Sequence, residues 1–255
     1  MAVLGIITCQ ILELEFADLL SHDRELGAVA VLDNGCEGGL IDAMEQAGGI
    51  KPRRISALED FAPSVQEGVE ALVCVMELGL HLVIKRLQQT VVKMAGEIGP
   101  YVDAILLGYG LCGNALNKPE ELFAEVGVPI IIPMDDDHPV DDCVGLIIGG
   151  RENYYAEQCK VAGTMFMTAG FSRHWKDLMR KGQGGRFDWE ISKRLLAHYE
   201  RNLLLPTPVL SEEQMRENIE EFNRVHGFRN EVRPGALDIL QDAWERAKKT
   251  LPLHS

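Results

Sequence analysis

The chain has 255 residues, enough for one large domain or two small ones, and its 46% hydrophobic content can fill a substantial core. Its net charge of -14 argues against a nucleic-acid backbone or an anionic membrane as partner, because both would repel it. The first residues lack the basic leader of a signal peptide, and no apolar run reaches the roughly 18 residues that span a bilayer, so a cytoplasmic protein is expected.

Short apolar runs alternate with helical patterns and glycine-rich segments along the first two thirds of the chain. This rhythm predicts an α/β fold with a mainly parallel, Rossmann-like sheet flanked by helices. Residues 71–76 fit either a further strand or the start of a helix. The strands are expected near residues 3–8, 28–32, 104–108, 128–132 and 164–168.

Apolar residues that recur every three or four positions predict helices between these strands and after them. One such helix covers residues 82–98, and its buried stripe is expected to be Ile84, Leu87, Val91, Met94 and Ile98. The basic, aromatic stretch 171–202 favours helices joined by a flexible loop. The chain is therefore divided into an α/β core over residues 1–170, which holds the candidate metal site, and a mostly helical region over residues 171–255 that packs on it.

The stretch 103–116, DAILLGYGLCGNAL, combines an apolar strand with a glycine-rich end. Gly108, Gly110 and Gly113 permit a close backbone approach to a bound ligand or cofactor, and Cys112 lies among them. Ligands of open parallel sheets bind at this edge. The same glycines fit the dinucleotide-binding spacing only superficially, because no acidic residue is placed at a strand end about twenty positions later in the usual context of that motif. A tight turn with a small buried cysteine is the alternative interpretation.

Three cysteines, Cys9, Cys112 and Cys143, each follow or flank a predicted strand end. Because the carboxyl ends of parallel strands share one edge, these thiols can converge on one site. Thiolates suit zinc, which in catalytic sites takes three protein ligands, or a [4Fe-4S] cluster with one iron left open. His81 and His138 are candidate fourth ligands or acid–base groups. Three small buried hydrophobes, without any ligand, remain the alternative.

The most charged short stretch, residues 134–143, carries five aspartates around His138 and ends at Cys143. These carboxylates could bind a hard cation through oxygen, or they could cap a helix and lie in solvent. Cys36 is a spare candidate at another strand end. Cys74 lies in an apolar run and is expected in the core, whereas Cys159 lies on a polar segment.

Several of these segments together resemble the uncharacterised family of domains of unknown function numbered sixteen thirty-eight. The resemblance spans about the first 175 residues and is most specific at the glycine–cysteine loop. Its pattern implies a histidine–aspartate pair before the last cysteine, for which His138 and Asp142 are the candidates. The segments that carry the resemblance are 7–9, 80–81, 108–114, 132–143, 149–154 and 163–171.

Members of that family resemble proteins encoded near corrinoid-dependent methyltransferases in anaerobes and methanogens. This context implies a metal-dependent enzyme or accessory protein of one-carbon metabolism. A small-molecule substrate such as a thiol, and a corrinoid protein, would then be its partners. His81, His138 and Asp142 would be its catalytic residues. An iron–sulfur enzyme with lyase or reductive chemistry is one alternative, and a non-enzymatic module that binds a metal or a corrinoid protein is another.

Overall fold

The computed structural model describes residues 1–252. The central feature is a six-stranded sheet in which every neighbouring pair of strands is parallel, so the predicted α/β architecture is confirmed. Its strands are β1 (Ala2–Cys9), β2 (Leu26–Leu32), β3 (Arg53–Ile55), β4 (Val69–Met76), β5 (Ala104–Gly108) and β6 (Ile130–Ile131). They lie in the order β3-β2-β4-β1-β5-β6.

Three of the four inner strands, β4, β1 and β5, are apolar along almost their whole length because both of their faces are covered. Residues 71–76 belong to a strand and not to a helix. The strand predicted over residues 128–132 is shorter, since pairing covers only Ile130–Ile131. Pro129 and Pro133 flank that region, and proline has no backbone N–H to donate to a ladder.

Helices cover both faces of this sheet. Phe16 and Trp244 pack in the core on one face, while Leu87 and Phe123 pack in the core on the other. The helices are α1 (Glu13–His22), α2 (Gly38–Ala47), α3 (Ile84–Ile98), α4 (Pro119–Leu122), α5 (Cys143–Ile148), α6 (Arg151–Lys160), α7 (Ala169–Gly182), α8 (Trp189–Leu195), α9 (Glu212–Asn218), α10 (Glu220–His226) and α11 (Asp238–Lys249).

The predicted stripe of α3 is mostly buried. Leu87, Val91 and Ile98 are inaccessible to solvent, and Met94 is partly buried against the same core. Ile84 departs from the prediction, because it is the first residue of the helix and its side chain is 51% exposed.

A second parallel sheet was not predicted. The strand expected near residues 164–168 exists as β9 (Thr164–Met167), but its placement in the central sheet was wrong, because it belongs to this second sheet. It pairs with β10 (Arg201–Leu204), which in turn pairs with β11 (Arg229–Val232). The two later strands have four residues each and lack a long apolar run, so the pattern there does not indicate a sheet. This sheet takes strands from both sides of residue 170, and the division of the chain at that residue stays a prediction.

The acidic stretch folds as a small antiparallel hairpin of β7 (Met134–Asp135) and β8 (His138–Pro139). Asp136 at its turn has a φ of 55°, in the left-handed region that aspartate tolerates better than most residues. Within residues 1–252, no helix is both long and apolar enough to cross a membrane.

Candidate functional site

The carboxyl edge of the central sheet has a crevice beside β1. The chain leaves β1 into α1, whose Phe16 packs in the core on one face of the sheet. It leaves the two neighbours of β1, β4 and β5, into α3 and α4, and Leu87 of α3 and Phe123 at the end of α4 pack on the opposite face. Connections that diverge in this way open a crevice at the strand ends, where ligands of such sheets bind. Cys9 is the last residue of β1.

A small cavity of about 30 Å³ lies at this crevice, and all three predicted cysteine ligands line it. A cavity of that size is large enough to hold a water molecule. His81, Gly108 and Gly110 also line the cavity, whereas His138, Asp142 and Gly113 do not. The complete lining is Cys9, Ile11, Glu77, Gly79, Leu80, His81, Gly108, Tyr109, Gly110, Cys112 and Cys143.

Two backbone hydrogen bonds hold the loop of Cys112 against the segment that carries Cys143. Leu111 N donates to Val140 O at 2.8 Å, and Cys112 N donates to Asp141 O at 2.7 Å. A Cβ atom on Gly110 would lie 2.4 Å from Val140 O, so only glycine allows the two segments to approach this closely. The structure therefore gives Gly110 a packing role that brings two of the cysteines together.

The other two glycines of the loop have different roles. A Cβ atom on Gly108 would lie 2.4 Å from the ring of Phe16 and 2.6 Å from Thr8 Oγ1. These neighbours leave no room for a side chain at Gly108. Gly113 has a φ of +67°, which glycine adopts without strain. The prediction that the three glycines bind a cofactor stays a prediction.

Asp142 fixes the backbone at Cys143. It is the N-cap of α5, and its Oδ1 accepts from Val144 N at 2.8 Å and from Gly145 N at 2.9 Å. Its Oδ2 accepts from the Tyr154 hydroxyl at 3.3 Å. Burial raises the pKa of Asp142 above its ordinary value although these bonds favour the carboxylate. The residue thus lies behind the cavity and positions Cys143.

His138 lies on strand β8 of the hairpin, outside the lining of the cavity. Its Nδ1 contacts the carbonyl oxygen of Pro139 at 2.6 Å. The neighbouring aspartates serve the hairpin and its surroundings, since Asp135 Oδ2 accepts from Arg151 N at 2.7 Å and the Asp137 side chain is 89% exposed.

The cavity thiols resist ionisation. Burial raises the pKa of Cys9 to about 11, and it also raises the pKa of Cys112 and Cys143 above the ordinary value. The cysteines also raise one another's pKa, because a thiolate on Cys9 makes a second thiolate on Cys112 less favourable. At neutral pH all three are therefore thiols, and binding a metal would release their protons. All six cysteines of the chain are free.

His81 and Glu77 are the titratable side chains at the rim of the cavity. His81 is exposed at this rim, and partial desolvation there lowers the pKa of its imidazole, an effect that the charge of Asp142 opposes only partly. The imidazole is therefore mostly neutral at pH 7. Glu77 accepts from Lys181 Nζ at 2.9 Å and from the Arg86 guanidinium. Its hydrogen bond with Lys181 lowers the pKa of Glu77, which is therefore ionised. Sequence reasoning missed Glu77, although it directly follows β4.

Several buried polar groups at this edge have no hydrogen-bond partner among the described residues. They include Thr8 Oγ1, the Tyr109 hydroxyl, both carboxyl oxygens of Glu15 and Oε2 of Glu13. Glu15 is inaccessible to solvent, and burial raises its pKa to about 8. Sequence reasoning missed these residues. Acidic side chains in the first turn of a helix are ordinary there, so Glu13 and Glu15 gave no signal.

Within residues 1–252, no group of three or more His, Cys, Asp or Glu side chains is arranged to hold a metal ion. The cavity brings the three predicted ligands to one place, but ligation by them stays a prediction.

A family model described as a protein of unknown function, DUF1638, matches residues 75–244. The chain belongs to the DUF1638 family. The match begins and ends later than the resemblance over the first 175 residues, so it includes most of the C-terminal region. His81, Cys112 and Cys143 lie inside the matched range, and Cys9 lies outside it. No curated protein and no solved structure matches the chain.

Proposed function

We propose that this DUF1638 protein is a metal-dependent enzyme or accessory protein of corrinoid-linked one-carbon metabolism, with Cys9, Cys112 and Cys143 as the metal ligands. One observation carries the proposal: three thiols from distant parts of the chain line a single small cavity. The cavity lies at the sheet edge where α/β proteins bind their ligands.

The size of the cavity suits zinc better than an iron–sulfur cluster. Three thiols could hold either group, and with zinc they would leave a fourth position open to a substrate. A cavity of about 30 Å³ suits a single ion. A [4Fe-4S] cluster contributes eight atoms of its own and would require the surrounding loops to move apart.

When bound by thiolates, zinc would supply Lewis acidity that lowers the pKa of a substrate thiol. The residues of the chain would prepare the site. Gly110 holds the loop of Cys112 on the segment of Cys143, and Asp142 fixes the start of α5. Neutral His81 would accept the proton that a substrate thiol loses.

The proposed substrates are a small thiol and a methylated corrinoid protein, which the family context supports. In the transfer a sulfur–carbon bond would form while the cobalt–carbon bond breaks. The electron pair of the broken bond would stay on the cobalt of the corrinoid, and the thiol proton would pass to His81. His138 lies outside the cavity and would have no part in this step.

Metal content tests the proposal. Protein prepared anaerobically should contain about one zinc per chain by elemental analysis, without iron or acid-labile sulfide. Cys112→Ser should lose most of the zinc, because serine has a similar size but is a poor ligand for soft metals. Cys159→Ser is the matched control, since Cys159 is exposed on α6, and it should keep the zinc.

Full metal content in the Cys112→Ser variant would contradict the site. Iron and sulfide in equal amounts, lost in the same variant, would instead support the iron–sulfur alternative. Methyl transfer from methylcobalamin to a small thiol should be slower in His81→Ala than in the wild type. Equal rates would remove His81 from the proposed proton transfer.

A further inference from the structure

Three consecutive aliphatic side chains are exposed beside the cavity. Leu82, Val83 and Ile84 have exposed fractions of 48%, 56% and 51%, and they directly follow the cavity residue His81. A Cβ atom on Gly79 would lie 3.3 Å from Leu82 Cδ1, and one on Gly113 would lie 4.0 Å from Ile84 Cδ1. The run therefore extends from the end of β4 to the loop of Cys112. Large apolar side chains exposed together mark a binding surface.

Two basic segments meet around this apolar run. Residues 81–86 contain Lys85 and Arg86 and no carboxylate, while residues 173–186 contain five lysine or arginine residues and only one carboxylate, Asp177. Each of these two segments has a positive net charge, whereas the net charge of the whole chain is -14.

Glu77 joins the two segments at the rim of the cavity. Its carboxylate accepts from Arg86 on one segment and from Lys181 on the other, at 2.9 Å for the Lys181 bond. One carboxylate thus faces two cations, so these three side chains together carry a net positive charge. Lys85 is the neighbour of Arg86 in the sequence and is exposed. The carboxyls of Asp142, Glu13 and Glu15 oppose an anion deeper in the site, around the cysteines.

We propose that the substrate of this site is a small molecule with an anionic head group, a carboxylate or a phosphate, and a short aliphatic stem. The head group binds at Lys85, Arg86 and Lys181, the stem lies along residues 82–84, and the reactive end enters the cysteine cavity. The inference rests on the proposed function only in taking the cavity as the place of reaction. A bound metal is not required for the surface to select such a molecule.

Alkylation of Cys112 in metal-free protein tests the head group. The probes are iodoacetate and its neutral counterpart iodoacetamide, and the rates are followed by mass spectrometry of the Cys112 peptide. At one pH the thiolate fraction is common to both reagents, so the ratio of the two rates reports the electrostatic potential at the rim. Removing two cations in Lys85→Gln/Lys181→Gln should lower the iodoacetate-to-iodoacetamide ratio about fivefold at low salt.

Lys51→Gln/Lys249→Gln is the matched control, because it removes the same charge from exposed positions just before β3 and at the end of α11. Its ratio should equal that of the wild type. Equal ratios in the rim variant and the control variant would overturn the anionic head group.

Two carboxyalkyl methanethiosulfonates, one with a shorter and one with a longer stem, test the aliphatic part. The longer reagent should modify Cys112 several times faster than the shorter one in the wild type, and this preference should disappear in Leu82→Ser/Val83→Ser. Leu195→Ser, at an exposed leucine on α8, should retain it. A preference that survives in the Leu82→Ser/Val83→Ser variant would overturn the role of the apolar run. Because no metal is present in these measurements, absence of zinc would refute the proposed function without affecting them.

Discussion

Two of the buried polar clusters among residues 1–252 differ in how well their members are paired. At the second sheet, Arg201 is only 2% exposed and its guanidinium is bonded throughout. Its Nε donates to Thr164 Oγ1 at 2.8 Å, and its Nη2 donates to Glu157 Oε2 at 3.0 Å. Glu157 also binds Arg233 and Lys160. Such a saturated network holds the strands together.

The cluster at the cysteine cavity is the opposite case. Thr8 Oγ1, the Tyr109 hydroxyl and the carboxyl of Glu15 are buried without a hydrogen-bond partner in residues 1–252. Unpaired buried polar groups cost stability, so a fold keeps them chiefly where they serve a ligand or a reaction. The comparison indicates that the paired polar cluster stabilises the second sheet. The central sheet is stable although the unpaired polar cluster at its edge costs stability.

Breaking the paired cluster should have the largest effect. Arg201→Ala would leave Glu157 buried with fewer partners, and we expect the free energy of unfolding to fall by about 3–5 kcal/mol. Urea denaturation followed by circular dichroism measures this change. Arg229→Ala is the control, since Arg229 is 62% exposed and contacts Glu231 at 3.7 Å, and it should cost less than about 1 kcal/mol. A similar loss in both variants would contradict the role of the network.

The unpaired cluster should make stability depend on pH. Folding raises the pKa of Glu15 from the ordinary 4.5 to about 8, so its proton is held in the folded state and lost in the unfolded state between these values. The stabilisation is complete below pH 4.5 and is lost as the pH rises through 8. We expect a loss of about 3–4 kcal/mol between pH 5 and pH 8, because one pKa unit corresponds to about 1.4 kcal/mol.

Glu15→Gln should remove most of this pH dependence, and denaturation at the two pH values measures it. Glu120→Gln, at an exposed glutamate on α4, should leave the dependence unchanged. A steep loss of stability that persists in Glu15→Gln would show that another group is responsible.

The close packing of the two cysteine segments can be tested at Gly110. Gly110→Ala places a Cβ atom 2.4 Å from Val140 O and should lower the free energy of unfolding by about 1–3 kcal/mol. Zinc content should fall with it if the loop of Cys112 moves away from Cys143. Gly96→Ala is the control, because Gly96 lies within α3 with open space around it. This substitution should raise the free energy of unfolding by about 0.5–1 kcal/mol. Unchanged stability in Gly110→Ala would contradict the packing role.

The sequence allowed the central sheet to be predicted because its inner strands are continuous apolar runs, which are a local signal. It also allowed Cys9 and Cys112 to be placed at one edge, because parallel strands share that edge. Cys143 reaches the same cavity by another route, since it begins α5 after the hairpin and its segment is bonded to the loop of Cys112. The second sheet escaped prediction because Arg201 and Asn202 at the start of β10 are buried only through distant partners. Arg201 binds Glu157, and Asn202 binds Asn223.

The unpaired groups of the site were equally invisible in the sequence. Glu13 lies on α1 but contacts His174 and Arg173 on α7, about 160 positions later in the chain. Burial of the first turn of α1 therefore depends on tertiary packing that no local pattern reports. His138 was placed with the cysteines by its position next to them, whereas the hairpin turn at Asp136 directs it elsewhere.

The smallest expected change in stability comes from removing the N-cap of a helix, and it can be compared between a helix at the site and a helix away from it. Asp142 and Asp188 each cap a helix by accepting from two backbone N–H groups, at the starts of α5 and α8. Replacing either by alanine should lower the free energy of unfolding by about 1 kcal/mol, and asparagine at either position should restore most of it. Only Asp142→Ala should also lower the zinc content, because only that cap holds the backbone of a proposed ligand, Cys143. Denaturation and elemental analysis of the four variants measure both effects. Equal zinc content in Asp142→Ala and Asp188→Ala would show that the cap stabilises α5 without positioning Cys143 for a metal.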